Sequence, residues 1–252
     1  MKHQDPSGSK RMIYGLHPVE EALQAGQAIE KILLKKEGNV NRFDEIRQGA
    51  RNQQVPVQMV PEAKLRRMLP QANHQGVVAL MSPVQFHELE DIILDLQERE
   101  RNPLMLMLDG ISDVRNFGAI VRTAECLGAH ALVIPTQRSA ALNADAIKVS
   151  AGALYHLPIC RSGHLADAIL LLQAYGIQCV ACTEKAGASI FEVNFSGPTC
   201  LILGSEDKGI SNSLLKKANY SVKIPLQGQV NSLNVSVAAG MFMLEVARQR
   251  DH

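Results

Sequence analysis

Short apolar runs and amphipathic segments follow one another along the chain, and their order predicts alternating strands and helices. Apolar runs bounded by Gly, Pro or polar residues indicate strands, whereas apolar residues three and four positions apart indicate helices. In the first part of the chain, strands are predicted at 29–34, 55–60 and 76–81, and helices at 41–54 and 61–69. This alternation is typical of a small α/β layer domain.

The rest of the chain repeats the pattern with more continuous apolar runs. Residues 103–109 are almost wholly apolar, as expected of a parallel strand buried on both faces. Further strands are predicted at 131–134, 157–160, 177–182, 199–203 and 221–224, and helices from near Phe117 and at 144–154, 165–175, 211–218 and 235–250. Five or more βα units in a row predict an α/β fold with a parallel sheet covered on both faces.

Periodicity and charge divide the chain into four stretches. Residues 1–11 predict a flexible tail, 12–83 a first domain, 84–102 an acidic linker or the first helix of the next domain, and 103–252 the second domain. Residues 1–83 contain 12 basic residues (Lys and Arg) and 8 acidic residues (Asp and Glu). The corresponding numbers are 2 and 6 in residues 84–102, and 12 and 11 in residues 103–252. The first domain is mildly basic, although a net charge of +1 gives no global signature of nucleic-acid binding.

Composition indicates a globular protein, with 46% hydrophobic and 20% charged residues in 252. Residues 1–10 lack the apolar centre of a signal peptide and no apolar run reaches the length of a membrane span, so we expect a cytoplasmic protein without a membrane partner. Cys179 and Cys182 have C-x-x-C spacing but lie in an apolar run with no second ligand pair. We expect buried thiols there, and no metal.

Two loops near the C-terminus carry most of the candidate chemistry. One strand breaks at Gly204 into a turn with Glu206, and another ends at Ile224 and leads to Ser232 and Asn234. Loops at strand ends are where open α/β sheets usually bind ligands. On residue types alone, two ordinary strand-to-helix turns are an equal explanation.

Three segments, at 113–124, 201–209 and 224–238, resemble the ordered motifs of the SpoU (TrmH-like) RNA ribose 2′-O-methyltransferases. The glycine spacing of a dinucleotide-binding turn is absent from 109–118, and the sequence contains no P-loop. The resemblance implies a C-terminal trefoil-knotted α/β domain of the SPOUT type with a parallel sheet. It also implies S-adenosylmethionine as cofactor and a homodimer that completes the site.

The resemblance extends to the first domain, which is similar to the ribosomal-protein L30e-like RNA-binding fold and contains, at 73–79, a segment like the His-Gln-Gly segment that commonly ends that domain. It implies structured RNA as partner, most closely a guanosine of 23S rRNA. The tRNA guanosine subgroup, which usually lacks this domain, is the second candidate. Cations on this domain are either solvated surface or phosphate contacts, and His74 is expected to serve structure.

By resemblance, four residues line the S-adenosylmethionine pocket: Gly204, Ile224, Leu226 and Leu233. Gly204 would permit a close approach, and Ile224 and Leu233 would supply apolar walls and main-chain hydrogen bonds. Without the resemblance, Ile224 and Leu233 would be read as ordinary core residues.

Also by resemblance, Asn116, Arg122, Glu206, Ser232 and Asn234 form the catalytic cluster. A ribose 2′-hydroxyl is a weak nucleophile, so it needs alignment with the methyl group and dispersal of its proton. A guanidinium stays protonated, so we expect Arg122 to grip a phosphate and stabilise the developing alkoxide. Asn116 and Asn234 would position the ribose, Glu206 would orient Arg122 or Asn116, and Ser232 would shape the loop. An exposed arginine on an amphipathic helix is the plain alternative for Arg122.

Several points remain open at this stage. Val114 stands where family members often have proline, so the first loop is expected to be looser. Arg138 is a second candidate phosphate ligand, and the apolar stripe of helix 235–250 fits a dimer interface or core packing equally well. A non-catalytic RNA-binding or ribosome-assembly factor and a small-molecule methyltransferase are the rival functions. The main hypothesis requires the segments near positions 116, 206 and 232 to converge on one pocket.

Overall fold

A computed structural model describes residues 12–37 and 40–250 of the chain, and the flexible tail predicted at 1–11 lies outside them. The chain divides into two compact units. One comprises the described residues up to Gln85 together with Leu142–Ala144, and the other comprises Phe86–Ala141 and the described residues from Asp145 onwards.

The first unit is a mixed sheet with helices on both faces. Its strands are β1 (Met12–Tyr14), β2 (Ile29–Lys35), β3 (Val57–Val60) and β4 (Val77–Met81), and its helices are α1 (Leu16–Gln24), α2 (Asp44–Asn52) and α3 (Glu62–Met68). Among the described residues the strand order is β1-β4-β2-β3, with β4 antiparallel to β1 and β2, and β2 parallel to β3. Val19 and Ile46 pack on one face of the sheet and Leu65 on the other, as the alternating pattern requires.

The second unit contains a larger sheet in which every strand pair is parallel. Its strands are β5 (Phe86–His87), β6 (Leu104–Asp109), β7 (Ala131–Pro135), β8 (Ile159–Ser162), β9 (Gln178–Cys182), β10 (Ala188–Ser189), β11 (Thr199–Gly204) and β12 (Tyr220–Lys223). Its helices are α4 (Leu89–Glu98), α5 (Val114–Cys126), α6 (Ala144–Val149), α7 (Leu165–Ala174), α8 (Asn212–Leu215) and α9 (Val235–Arg250). Within the described ranges the strand order is β10-β12-β9-β11-β6-β7-β8-β5.

Helices cover both faces of this sheet, which confirms the predicted α/β architecture. Met105 and Ile202 on one face share a core with residues of α4 and α7. Successive strand residues point to opposite faces, and Leu201 and Leu203 are buried on the other face, where α9 contacts β11 and packs against α5. The sequence left open whether 84–102 links the domains or begins the second, and α4 lies in the core of the second unit. The trefoil knot stays a prediction.

Some predicted helices are shorter than their apolar spacing suggested. The helix expected at 144–154 ends at Val149 because Ala151 and Gly152 have left-handed backbone conformations, with φ of 51° and 87°. Gly152 then donates its backbone N–H to the Ile147 carbonyl, a closure typical of a helix C-terminus. The helix expected at 211–218 is only the single turn Asn212–Leu215. The helix expected at 41–54 begins with a 3-10 turn, Val40–Phe43.

The chain changes direction in the middle of the large sheet. From β6 it adds β7 and β8 on one side, whereas β11, β9 and β12 lie on the other side. Such a reversal separates the loops that leave neighbouring strands, and in open parallel sheets it forms a crevice at the carboxyl ends. Here the reversal lies between β6 and β11, where Gly204 is in register with Asp109.

Candidate active site

The loop that leaves β11 turns back so that Gly204 packs closely against Gly209 and Ile210. A Cβ atom on Gly204 would lie 2.1 Å from the carbonyl carbon of Gly209 and 2.2 Å from the amide nitrogen of Ile210, so only glycine fits. The backbone N–H of Gly209 donates to the Ser205 carbonyl at 2.8 Å. This short turn presents Glu206 as an exposed side chain at the sheet edge.

The loop that leaves β6 is anchored by two aspartates. Asp109 Oδ2 accepts a hydrogen bond from the backbone N–H of Ser211 at 2.7 Å. Asp113 caps α5 and accepts from the backbone N–H groups of Arg115 and Asn116, both at 2.9 Å. This cap begins the helix at Val114 rather than near Phe117 as predicted, so Asn116 lies in the first helical turn.

Asn234 is the N-cap of α9 and also joins the other two loops. Its Oδ1 accepts from the backbone N–H groups of Ser236 at 2.9 Å and Val237 at 3.4 Å. Its Nδ2 donates to Asn116 Oδ1 at 2.9 Å and to Glu206 Oε1 at 2.8 Å. Both ends of the amide are therefore used, and Asn116, Glu206 and Asn234, here named the polar cluster, converge as the sequence hypothesis required.

A cavity that is open to solvent lies beside the polar cluster, and it is called the cavity below. Its volume is about 390 Å³ when the solvent-open space at its mouth is included. It is lined by Cys182, Thr183, Glu184, Ile224, Leu226, Ser232, Leu233, Ala238 and Phe242. Because Ser232 and Leu233 directly precede Asn234, one short segment connects the cavity with the polar cluster.

Four of the nine predicted site residues line the cavity: Ile224, Leu226, Ser232 and Leu233. Gly204 is absent from the lining, and its role in the structure is the tight turn before Glu206. The sequence argument missed the wall formed by 182–184 and by one face of α9. For residues 183–184, the sequence offered one indication, which is their position directly after the strand predicted at 177–182.

Arg122 is exposed on α5. It lies six residues after Asn116, which on an α-helix is about 9 Å further along and roughly 120° around the axis. Within the described residues Arg122 makes no hydrogen bond to the polar cluster, and Glu206 contacts Asn234 rather than Arg122 or Asn116. The predicted orienting role of Glu206 stays a prediction, and its observed partner is Asn234.

Other flagged residues have clear surroundings. His74 is 7% exposed, and its Nδ1 accepts from the backbone N–H of Gly76 at 3.0 Å, a structural contact. Arg138 is exposed after β7 with φ of 61°, in a loop tied to the β6 loop by a 3.0 Å bond from Ala140 N to Ile111 O. Its role stays a prediction.

Cys179 and Cys182 are buried, as predicted. Burial raises the pKa of the Cys182 thiol well above its ordinary value, so the cavity wall is neutral there. Over residues 12–37 and 40–250, the structure contains no group of three or more His, Cys, Asp or Glu side chains suited to a metal ion. In those same ranges no helix combines the length and the apolar character needed to span a membrane.

Comparisons with known proteins place similarity along nearly the whole chain. Residues 103–244 match the model of the SpoU rRNA Methylase family, and residues 12–87 match that of the RNA 2′-O ribose methyltransferase substrate-binding domain. A protein of Staphylococcus haemolyticus assigned to the TrmH family of tRNA/rRNA methyltransferases is 36% identical over 95% of this chain and 96% of its own.

Solved structures give the same picture. The SpoU methyltransferase AviRb from Streptomyces viridochromogenes, in complex with the cofactor AdoMet, is 26% identical with a TM-score of 0.59, covering 97% of this chain and 92% of its own. The TrmH/SpoU tRNA-modifying enzyme of A. aeolicus is 30% identical with a TM-score of 0.55, covering 65% of this chain and 84% of its own.

Proposed function

Because the chain belongs to the SpoU rRNA Methylase family of S-adenosylmethionine-dependent RNA methyltransferases, we propose that it methylates a ribose 2′-oxygen of structured RNA. The proposed target is a guanosine of 23S rRNA. Residues 103–252 would carry the reaction and residues 12–83 would capture the RNA. The expected cytoplasmic location stays a prediction.

The observation that carries this proposal is the position of Asn234. It caps α9, bonds Asn116 and Glu206, and follows the two cavity residues Ser232 and Leu233. A methyl donor held in the cavity and a ribose held at the polar cluster would thus be adjacent. Such preorganised alignment is the main requirement of a methyl transfer to a weak nucleophile.

The cavity fits the cofactor by its chemistry. Ile224, Leu226 and Leu233 line the cavity and would supply apolar walls for an adenine ring, and backbone groups at the strand ends would bind its edge. When bound, S-adenosylmethionine supplies an activated methyl group on its sulfonium. Gly204 contributes through the turn that it permits, and Ser232 shapes the segment between cavity and polar cluster.

On the acceptor side, Asn116 and Asn234 would position the ribose, and Glu206 would hold the Asn234 amide in place. Arg122 stays protonated and cannot accept a proton, so its proposed role is to grip a substrate phosphate and to stabilise the developing alkoxide. Its exposure leaves the guanidinium accessible to RNA.

The N-terminal unit supports RNA capture through its unneutralised cations. Glu62 bonds both Lys35 and Arg66 at 2.7 Å, so these two offer less charge to phosphates. The exposed cations without an ion pair among the described residues are Lys36, Arg42, Arg51, Lys64 and Arg67. Phosphate contact is the function that best uses such a set.

We also propose a homodimer that uses α9. Val237, Met241 and Leu244 are 53%, 44% and 60% exposed, and their spacing places them on one face of the helix. A second copy of the chain would cover this stripe and lie near Arg122 on the neighbouring α5. Light scattering tests it: Leu244→Lys should give a monomer, while Leu94→Lys on α4 should leave the assembly unchanged. A wild-type monomer would refute the dimer.

Label transfer from methyl-labelled S-adenosylmethionine to total RNA tests the reaction. The expected product is sensitive to ribonuclease, resides in 23S rRNA, and resists alkaline cleavage at one guanosine, because that cleavage requires a free 2′-hydroxyl. Label in tRNA would favour the second target, and alkali-cleavable label would refute ribose methylation. Cofactor binding without any transfer would favour the non-catalytic RNA-binding factor.

Arg122→Lys tests the role of the guanidinium. Lysine keeps the charge but cannot form two parallel hydrogen bonds to a phosphate, so transfer should fall at least tenfold, by the order of one charged hydrogen bond. Arg99→Lys, at an exposed arginine that directly follows α4 and pairs with Asp95, is the control. Near wild-type transfer by Arg122→Lys would refute the bidentate role.

A further inference from the structure

One wall of the cavity carries a carboxylate that the sequence argument did not assign. Of the described residues that line the cavity, Glu184 is the charged one, and Thr183 and Ser232 are its polar companions. Another part of the lining is apolar and includes Ile224 and Leu226. A cationic ligand with one apolar end and several hydroxyl groups would meet complementary chemistry in this lining.

The position of Glu184 is fixed by the end of β9. The backbone N–H of Thr183 donates to the Val222 carbonyl at 2.9 Å, which extends the pairing with β12 by one residue. The chain then turns, with Ala186 N donating to Thr183 O at 3.2 Å, and Ala186 is buried beneath the turn. The Thr183 hydroxyl lies 3.5 Å from Glu184 Oε2 and accepts from Lys185 N at 3.4 Å. Glu184 is an exposed residue of this turn, at the carboxyl end of β9, and it lines the cavity.

A carboxylate accepts hydrogen bonds and donates none, so its partner on the ligand must donate. S-adenosylmethionine has two strong sets of donors apart from its base, the ribose diol and the α-ammonium. The ribose is bonded directly to adenine, whereas the ammonium is at the far end of the molecule. Because Glu184 faces the same cavity as the apolar walls that suit adenine, the ribose is the nearer partner. Strand-end carboxylates take ribose hydroxyls in other α/β nucleotide-binding folds.

We propose that Glu184 is a cofactor-specificity residue whose carboxylate accepts hydrogen bonds from the ribose diol of S-adenosylmethionine. This inference rests on the proposed function, because it presumes that the cavity holds that cofactor. It adds a charged side chain to the predicted cofactor contacts.

Calorimetric titration of the full-length protein tests the contact without any turnover. Wild type and Glu184→Gln are titrated with S-adenosylmethionine, with 5′-methylthioadenosine, which keeps the ribose but lacks the ammonium, and with the 2′- and 3′-deoxy forms of the latter. Glu184→Gln should weaken both parent ligands by about tenfold, the order of one charged hydrogen bond. Removing a hydroxyl should weaken the wild type similarly and the variant less, because the glutamine amide keeps one acceptor oxygen but has lost the charge that strengthens the contact.

Glu125→Gln, exposed in the last turn of α5 and outside the cavity, is the matched control for charge removal. An equal loss of affinity in this control would overturn the inference, since the effect would then come from the change in the protein's overall charge and not from a contact of Glu184. A loss confined to S-adenosylmethionine would overturn it in favour of the ammonium, and an unchanged Glu184→Gln would overturn it outright. If the wild type bound none of these adenosyl ligands, the proposed function itself would fail. A variant that binds like wild type while the wild type binds well refutes only the role of Glu184.

Discussion

Asn234→Asp replaces one amide by a carboxylate of nearly the same shape at the centre of the polar cluster. The helix cap survives, because aspartate also accepts from the backbone N–H groups of Ser236 and Val237 and is as good an N-cap as asparagine. The two donor bonds do not survive. A carboxylate cannot donate to Asn116 Oδ1 or Glu206 Oε1, which lie 2.9 and 2.8 Å from the present amide nitrogen.

The size of the effect follows from these contacts. A neutral hydrogen bond contributes about 1 kcal/mol and one to a carboxylate about 1.5 kcal/mol at the lower end, which suits an exposed site. The new charge beside Glu206 adds repulsion of about 1 kcal/mol in water. Together these contributions lower the stability of the polar cluster by about 3.5 kcal/mol. Since each 1.4 kcal/mol is about a tenfold change, methyl transfer should fall by about three-hundredfold.

Asn234→Ser separates the two contributions. Serine keeps the cap and loses the same donor bonds without adding a charge. Its transfer rate should therefore fall by about sixtyfold, which omits the part due to repulsion. Both variants would be assayed by label transfer at saturating cofactor and RNA, with thermal unfolding and cofactor titration alongside. Both should bind the cofactor within about threefold of wild type, because Asn234 does not line the cavity.

Wild-type transfer by Asn234→Asp would refute the reasoning, because the contacts between the three loops would then be irrelevant to the reaction. Equal losses in the two variants would refute the assigned repulsion from Glu206. A collapse in thermal stability would show that the cap, rather than the polar cluster, was lost.

Three further predictions concern the scaffold around the site. Gly204→Ala should lower the unfolding free energy by about 3 kcal/mol or more, because its Cβ would lie 2.1 Å from a backbone atom. Gly197→Ala, at a position with open space around it, should lower it far less in the same denaturant titration. Equal losses would contradict the steric argument. Arg250 donates to four backbone carbonyls at 2.7 to 3.1 Å, so Arg250→Met should lower the unfolding free energy by about 3 kcal/mol, and an unchanged value would show that water replaces these bonds. Contacts with Lys35 and then with Arg66 lower the pKa of Glu62 from 4.5 to about 2. Its contribution to stability is therefore full above the unfolded pKa and is lost as pH falls towards about 2. Glu62→Gln should reduce the loss of unfolding free energy in this acid range, and an unchanged loss would assign it to other carboxylates.

Particular residues show how far sequence reasoning reached. The apolar runs 103–109 and 199–203 fixed buried parallel strands, because continuous apolar residues have few other stable places in a globular fold. The sequence did not predict which strands would be their neighbours in the sheet, since strand order depends on contacts between distant segments. The two-residue strands β5 and β10 are too short to leave any periodicity. Helix 144–154 was overestimated because the left-handed Ala151 has no local signature.

The sequence by itself determined the fold class, the two-domain order and the family, because these rest on local periodicity and on motifs that are contiguous in the chain. Only the tertiary structure decided that Asn234 lies between Asn116 and Glu206, residues 118 and 28 positions away. It also decided that Glu184 shares a cavity with Leu226. The physical reason is that parallel strands bring their carboxyl ends to one edge of the sheet, and which loops become neighbours there is set by strand order rather than by any short segment.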